Sequence, residues 1–445
     1  MMRLEDFLRS NKFTVRLIGF VSDNPVYRGA LVIGSGTILA QLIGLVTLPI
    51  ITRIYNPTEM GVLAVYSSIL SIVAIGASFR YEFAYTLPKK EETAANLFIL
   101  CIVSLSLTSV AFSLIIMLTG DYLANLLRLN SLGHYYWLLI PGFIGTGLYT
   151  ILNYWAIRQR DYRRITHTSI NQSVSGATSK ISLGLLSFGP LGLILGHIIS
   201  QATGIGTLSK AMWKVEKGNF GKVSATAIKA VAKEYWTFPA FNLPASIINA
   251  LSIQLPSLFL VTLYGSHTVG LYALAYNLLA LPAGLISSAI GQAFLGEVSL
   301  MVREKSSGLK QFYLKTIKHL AIIAIPIIGT LALAAPFLIT LVFGDVWSDA
   351  GLLCIPLALM VIPQFIVSPT SRLTIYGFNH WTLAWDIARV SGVAAGFYLG
   401  WILDFSVIIT LMIYGIIMLI MYIVGIALNL KAISIFTSRM GHVAE

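Results

Sequence analysis

Long apolar segments alternate with short polar ones along most of the chain. Each apolar segment is close to the length of about 20 residues that a helix needs to cross the hydrocarbon core of a bilayer. The pattern therefore predicts twelve membrane-spanning helices, of which the fifth is the least apolar. Their predicted ranges are 29–51, 62–79, 95–118, 135–157, 165–188, 190–212, 237–263, 270–295, 320–343, 351–371, 382–403 and 406–428.

The composition agrees with this pattern. Of the 445 residues, 56% are apolar and 11% are charged, whereas a soluble globular protein carries about 25% charged residues. Twelve spans leave no room for a large soluble domain between them. We therefore expect an all-α integral membrane protein.

The longest polar segment lies at the middle of the chain and separates two sets of six spans. It predicts two lobes that are parallel repeats about an axis along the membrane normal, as in many transporters. The predicted parts are an N-terminal segment with amphipathic character (1–28), an N-lobe (29–212), a linker (213–236), a C-lobe (237–428) and a C-terminal tail (429–445).

A short internal repeat accompanies this division. A shift of 209 residues aligns the loop before the second span with the loop before the eighth. The alternative is that glycine and alanine recur by chance in an apolar sequence. The identical residues are Tyr55, Gly61, Ala64 and Leu70 in the first half, and Tyr264, Gly270, Ala273 and Leu279 in the second.

Basic residues distinguish the two sides of this topology. The two ends and the alternate loops hold 26 of the 30 lysines and arginines, and the opposite loops hold Arg53 and Arg128. The remaining two, Lys180 and Arg389, lie within spans. Because cytoplasmic loops are rich in basic residues, both termini are predicted to be cytoplasmic. Topology thus accounts for the net charge of +12, and we expect no nucleic-acid partner.

Motifs of catalysis and nucleotide hydrolysis are absent from the sequence, which contains no phosphate-binding loop, no zinc-protease motif and no serine nucleophile elbow. The two cysteines, Cys101 and Cys354, lie in apolar runs and are predicted to be core residues rather than disulfide partners or metal ligands. We therefore expect no cofactor and no metal, and neither an enzyme nor an ATP-driven pump.

Lys180 lies in the fifth span, which also carries Asn171, Gln172 and several serines. A cation at the bilayer centre costs about 2.5–3.5 kcal/mol, so Lys180 is expected to face water, a partner or the bundle interior. The polar side chains cover two adjoining faces of this helix, which predicts the wall of a substrate-binding cavity. Gln201 in the sixth span is a further candidate, because an amide binds sugar hydroxyls. The alternative is close helix packing, with Lys180 paired locally.

Two pairs of charged residues lie in or beside other spans. Asp386 and Arg389 are three residues apart and share one face of the eleventh span. They form either a mutual ion pair or a polar patch on a transport route, with Asp386 as the candidate ion-coupling residue. Arg80 and Glu82, at the end of the second span, are either gate residues or an interfacial pair.

The charges within the spans favour an anionic substrate. Asp386 alone lies deep in a span and is next to an arginine, whereas a transporter of cationic drugs is expected to hold an acidic residue in one half or the other. Lys180 from the first half and Arg389 from the second are candidates to face a central cavity. There they would bind a phosphate or pyrophosphate.

Two segments carry a resemblance to a known family. The first is 29–61, an apolar span followed by Arg-Ile-Tyr-Asn-Pro-Thr-Glu-Met-Gly at 53–61. The second is Phe-Arg-Tyr-Glu at 79–82, followed by Leu-Pro at 87–88. They resemble the opening and the R-Y-E…L-P loop of Wzx-type oligosaccharide flippases, in the polysaccharide-export branch of the MOP (multidrug, oligosaccharidyl-lipid, polysaccharide) superfamily. Further similarity at 269–272 and 343–347 extends the likeness over most of the chain.

This resemblance implies a MOP/MATE-like fold of twelve helices in two lobes that works by alternating access. It implies that the substrate is an undecaprenyl-pyrophosphate-linked oligosaccharide repeat unit, moved to the outer leaflet of a bacterial inner membrane for O-antigen (lipopolysaccharide), capsule or exopolysaccharide assembly. The implied partners are membrane lipids and the polysaccharide polymerase machinery, and an ion gradient is the candidate driving force.

Two alternatives to this function remain open. One is a small-molecule or drug antiporter of the same superfamily, which efflux of cationic dyes would reveal. The other is a membrane polysaccharide polymerase or ligase, which would join glycans rather than relocate their precursor. The short outward loops count against this enzyme, because it needs a larger loop to hold its sugar acceptor.

Overall fold

The protein is seen in a computed structural model that describes residues 25–126, 133–218, 220–304 and 308–441. The predicted N-terminal segment up to residue 24 lies outside the described residues, as do residues 442–445 of the predicted tail. The described α-helices are α1 Pro25–Ile54, α2 Pro57–Val73, α3 Tyr81–Ala84, α4 Glu91–Leu126, α5 Leu139–Arg158, α6 Tyr162–Leu185, α7 Pro190–Glu216, α8 Ala225–Glu234, α9 Leu243–Arg303, α10 Leu309–Phe343, α11 Ser348–Val367, α12 Asn379–Ile402 and α13 Val407–Gly441.

This architecture confirms the all-α membrane fold. Nine helical segments of the described chain are long and apolar enough to cross a membrane. Helices α6 and α12 correspond to two further predicted spans and have 24 residues each, with more polar surfaces. Helix α9 has 61 residues and is interrupted at Gly265 (φ 82°). At 1.5 Å per residue it is about 90 Å long, enough for two spans, so twelve spans are compatible with the structure.

Two helices extend beyond the spans predicted from hydropathy. Helix α10 begins at Leu309 rather than at residue 320, and α13 continues to Gly441 rather than ending at 428. The added turns carry lysines and polar residues. Hydropathy detects where a helix leaves the lipid, whereas the backbone hydrogen bonds of the helix continue into the polar region.

The two ends of the helical bundle differ in charge. At one end α1 ends, α2 begins and the turns α6–α7, α10–α11 and α12–α13 lie; Arg53 is the basic residue of its described loops. We call this the charge-poor end. The opposite, charge-rich end holds the loop after α2, the α5–α6 turn and the linker with α8. This arrangement brings the loops with most lysines and arginines to one side, as the sequence predicts.

Gly61 and Gly270 mark the place where the two lobes cross. A Cβ atom at Gly61 would overlap the backbone oxygen of Ser266, and a Cβ atom at Gly270 would overlap the backbone oxygen of Pro57. The shift of 209 residues that aligns Gly61 with Gly270 also aligns Pro57 with Ser266. The contact is therefore reciprocal, which favours a structural repeat over chance recurrence of glycine.

The cores of the lobes are apolar and continuous with this crossing. Cys101 and Cys354 are free and buried, as predicted for core residues. At the charge-poor end, the Trp347 indole N–H donates a hydrogen bond to the Thr52 carbonyl oxygen at 2.9 Å, and both residues are buried. This bond joins the turn after α10, in the C-lobe, to the end of α1 in the N-lobe.

Candidate functional site

Lys180 lies in α6 where this helix packs against α7 and α1. A Cβ atom at Gly196 of α7 would overlap the alkyl chain of Lys180, so the glycine leaves the space that the lysine occupies. The Tyr55 hydroxyl donates a hydrogen bond to the Lys180 carbonyl oxygen at 2.7 Å. Three helices therefore fix the position of Lys180.

The Lys180 ammonium forms no ion pair with any carboxylate of the described residues. It lies within electrostatic reach of His197 on α7, whose ring contacts Tyr66 edge-on at 6.0 Å between centroids. A cation without a counter-ion in a membrane-spanning helix requires water or an anionic ligand. Lys180 is thus available to bind an anion.

The predicted amides Gln172 and Gln201 come together between α6 and α7. The Gln172 Nε2 atom donates a hydrogen bond to Gln201 Oε1 at 3.4 Å, and Ser200 Oγ donates to the Gln172 carbonyl oxygen at 2.8 Å. Gly204 leaves room for the Gln172 carboxamide. Asn171 lies about 100° further around α6 and is exposed. The polar face of α6 therefore has a paired part and an exposed part.

Asp386 and Arg389 form an ion pair of 2.8 Å within α12. The Arg389 guanidinium also donates to Asn249 Oδ1 at 3.2 Å and lies over the Trp385 ring at 4.5 Å. Arg389 is 7% exposed, and the Asp386 side chain is 17% exposed. The mutual pair predicted as one of two alternatives is thus present, and it is packed against α9.

The two membrane cations lie at different depths. Helices α6 and α12 have the same length, begin at the charge-rich end and occupy equivalent places in the two lobes. Lys180 is five residues from the end of α6, and Arg389 is 13 residues from the end of α12. The difference of eight residues corresponds to about 12 Å along the helix axis. Lys180 is nearer the charge-poor end, whereas Arg389 is near the middle of its helix.

Arg80 and Glu82 form an ion pair of 3.3 Å at the charge-rich end, where the sequence predicted either gate residues or an interfacial pair. Glu82 is 2% exposed and also accepts a hydrogen bond from the Ser78 hydroxyl. Phe79 and Arg80 both have left-handed backbone conformations, with φ of 51° and 64°. The pair therefore lies inside a tight turn, which it holds in place.

Arg158 is a structural residue of this turn that the sequence did not single out. Its guanidinium donates to the carbonyl oxygens of Tyr85 and Pro88, at 3.3 and 2.6 Å, and to Glu91 at 3.0 Å. It thus fastens the R-Y-E…L-P loop to α5. Arg158 belongs to a cluster of four arginines, and nothing in the sequence distinguishes it from its neighbours.

Comparisons with known proteins place this geometry in a family. The family described as "Polysaccharide biosynthesis protein" matches residues 50–351. The chain is 25% identical over 367 residues to the succinoglycan biosynthesis transport protein ExoT of Rhizobium meliloti (strain 1021), covering 79% of this chain and 70% of that protein. It is 24% identical over 218 residues to the teichuronic acid biosynthesis protein TuaB of Bacillus subtilis (strain 168), covering 47% of this chain and 45% of that protein.

Solved structures of transporters share the fold. The inward-facing conformation of a multidrug resistance MATE family transporter of the MOP superfamily matches with a TM-score of 0.60 at 16% identity, over 91% of this chain and 95% of that one. A MOP superfamily transporter from Pyrococcus furiosus matches with a TM-score of 0.54 at 16% identity, over 93% and 97% of the two chains. At this identity the likeness shows the two-lobed MOP fold.

Proposed function

The chain belongs to the polysaccharide biosynthesis protein family and is a polysaccharide flippase of the MOP superfamily, and from this premise we propose that it moves undecaprenyl-pyrophosphate-linked oligosaccharide repeat units across the bacterial inner membrane. The relatives named as transport proteins and the MATE-like fold make it a transporter rather than an enzyme. The proposal takes the cytoplasmic leaflet as the origin of the unit and the outer leaflet as its destination.

The observation that carries this proposal is the unpaired ammonium of Lys180 beside the amides of α6 and α7. A pyrophosphate supplies the negative charge that this cation lacks among the described residues. The exposed Asn171 and the pair Gln172–Gln201 supply hydrogen-bond donors and acceptors for sugar hydroxyls. In this proposal the polyprenyl tail stays in the lipid while the head group passes between the lobes.

Alternating access is the proposed way of moving the head group. The contacts Gly61–Gly270 and Trp347–Thr52 join the lobes at the charge-poor end, which supports a state closed on that side. With the charge-rich end in the cytoplasm, and both termini there, this state receives the unit from the inner leaflet. Opening requires the Trp347–Thr52 bond to break so that the lobes separate at the charge-poor end.

Ion coupling is proposed to act through Asp386. Its carboxylate lies deep in a span, keeps 17% of its side chain exposed and is bound to Arg389 at 2.8 Å. Protonation or cation binding at Asp386 would release Arg389 from its ion pair. The freed guanidinium would then bind the anionic head group near the middle of the membrane, about 12 Å below the level of Lys180.

The experiment that tests this function measures where the lipid-linked oligosaccharide lies when the gene alone is deleted. A membrane-impermeant probe is applied to right-side-out and to inverted vesicles. We expect single units on the cytoplasmic leaflet, together with loss of surface polysaccharide. Unpolymerised units on the outer leaflet would contradict flipping, and so would normal glycan on both counts.

A further inference from the structure

A cavity of about 510 Å³ lies at the charge-poor end, in the seam between the two lobes. The end of α1, the start of α2 and the α6–α7 turn form its N-lobe wall, and the end of α10 with the turn that follows forms its C-lobe wall. Its volume lies within the range of about 300–1,000 Å³ that is typical of ligand pockets. The mechanism proposed above does not use this cavity.

The N-lobe wall is polar. Arg53 is exposed and forms no ion pair with any described carboxylate. Asn56 and Glu59 hold each other through a capping box, in which the Glu59 N–H donates to Asn56 Oδ1 at 3.0 Å and the Asn56 N–H donates to Glu59 Oε2 at 2.9 Å. This box fixes both side chains and leaves the Asn56 amide donors and Glu59 Oε1 for a ligand.

The C-lobe wall is apolar, formed by Phe343 and by Val346, which is 65% exposed. A guanidinium, an amide and a carboxylate thus face an apolar wall across the seam. A sugar ring has the matching chemistry, because its hydroxyls exchange hydrogen bonds along the edge and its C–H groups pack against apolar side chains. A lipid tail would leave the polar wall unsatisfied.

The cavity lies directly beyond Lys180 toward the charge-poor end. Tyr55 lines the cavity, and its hydroxyl binds the carbonyl oxygen of Lys180. Gly184, which is one helical turn after Lys180 on α6, also lines it. Thr52 and Trp347, which carry the hydrogen bond between the lobes, are lining residues as well. A ligand in this cavity therefore contacts both lobes at the place where they must separate.

We propose that this seam cavity is a glycan-binding site on the release side of the protein, separate from the place of the anionic head group. The proposal rests on the function proposed above for the identity of the glycan. The two walls face each other only while the charge-poor end is closed, so a bound saccharide favours the closed state. By linkage, free glycan on this side opposes opening and slows transport.

Binding of lipid-free saccharide tests the site. The probe is the mixture of short oligosaccharides released by partial acid hydrolysis of the source organism's own surface polysaccharide, titrated calorimetrically into the purified full chain. Arg53→Gln removes the guanidinium, and Val346→Trp fills the cavity without a change of charge. Each is expected to weaken binding by about tenfold or more, since a hydrogen bond to a charged group is lost or the sugar is excluded.

The control is Arg163→Gln, the same substitution at an exposed arginine of the charge-rich end, which is expected to leave binding unchanged. Absence of heat from the wild-type chain up to millimolar probe overturns the site, as does equal binding by the wild type and both seam variants. Flipping of the lipid-linked unit is measured on the same samples. Flipping without binding of the free glycan refutes the site alone, whereas binding without flipping refutes the proposed function and leaves the site.

Discussion

Tyr55 and Tyr264 perform the same structural task in the two lobes. The Tyr55 hydroxyl donates to the Lys180 carbonyl oxygen at 2.7 Å, near the α6–α7 turn. The Tyr264 hydroxyl binds the Phe405 carbonyl oxygen at 2.8 Å and Thr410 Oγ1 at 2.7 Å, in the α12–α13 turn. Each tyrosine thus ties the first hairpin of its lobe to the last hairpin at the charge-poor end.

Tyr55→Phe and Tyr264→Phe are each expected to lower the thermal stability of the protein by similar amounts. Each removes one hydroxyl from a packed site and leaves a carbonyl oxygen without its donor, at a cost of about 1–3 kcal/mol. The measurement is the unfolding temperature in detergent. Tyr398→Phe is the matched control, because Tyr398 is 56% exposed. A control that unfolds as early as the two variants would refute the role of these hydrogen bonds.

Alanine at Gly61 or at Gly270 is expected to stop transport, because a methyl group at either position meets the backbone of the other lobe. The repeat predicts equal effects at the two positions. Transport into vesicles is measured together with protein abundance. Gly329→Ala serves as the control, since a Cβ atom there meets nothing within 4 Å. Normal transport by either variant would show that the lobes do not need this close approach.

These relationships show how much of the molecule its sequence predicts. The apolar segments predicted the helices, and the repeat around Gly61 and Gly270 pointed to the crossing of the lobes. The close approach at this crossing was not predictable, because a glycine in an apolar helix has the same pattern whether it meets lipid or backbone. The roles of Arg158 and of Trp347 depend on carbonyl oxygens that are distant in sequence, and backbone acceptors leave no pattern of residue types.

For the candidate site, the sequence identified residue types better than it identified partners. The spacing of Asp386 and Arg389 predicted a shared helical face, and the structure shows the pair that this spacing allows. The pairing of Gln172 with Gln201 depends on how α6 packs on α7, which one helical periodicity cannot provide. The difference in depth between Lys180 and Arg389 likewise required the bounds of α6 and α12.

Lys180→Ala is expected to reduce flipping by about tenfold or more, since a charge-assisted contact to the pyrophosphate is lost. The unfolding temperature should change little, because Lys180 forms no ion pair within the described residues. Flipping is measured in vesicles with the lipid-linked unit. Lys180→Arg keeps the charge and should retain part of the activity. An equal loss of abundance and of flipping would assign Lys180 a structural role instead.

Arg389→Gln is expected to behave differently from Lys180→Ala, because it leaves the Asp386 carboxylate without its partner. Breaking a buried ion pair on one side is strongly destabilising, so the unfolding temperature should fall along with flipping. The double variant Asp386→Asn with Arg389→Gln removes both charges and should recover much of the stability. A double variant no more stable than Arg389→Gln alone would show that the pair does not act as a unit.

Asp386→Asn alone tests the coupling of transport to an ion gradient. Asparagine keeps an oxygen that can accept from Arg389 but cannot be protonated, so the ion pair no longer responds to an ion. We expect flipping driven by an imposed gradient to stop, while slow equilibration of the unit without a gradient remains. Both are measured in the same vesicles, with Asp404→Asn as the control, because Asp404 lies in the exposed turn after α12. Gradient-driven flipping at the wild-type rate would exclude Asp386 from coupling and leave its ion pair with Arg389 as a structural element.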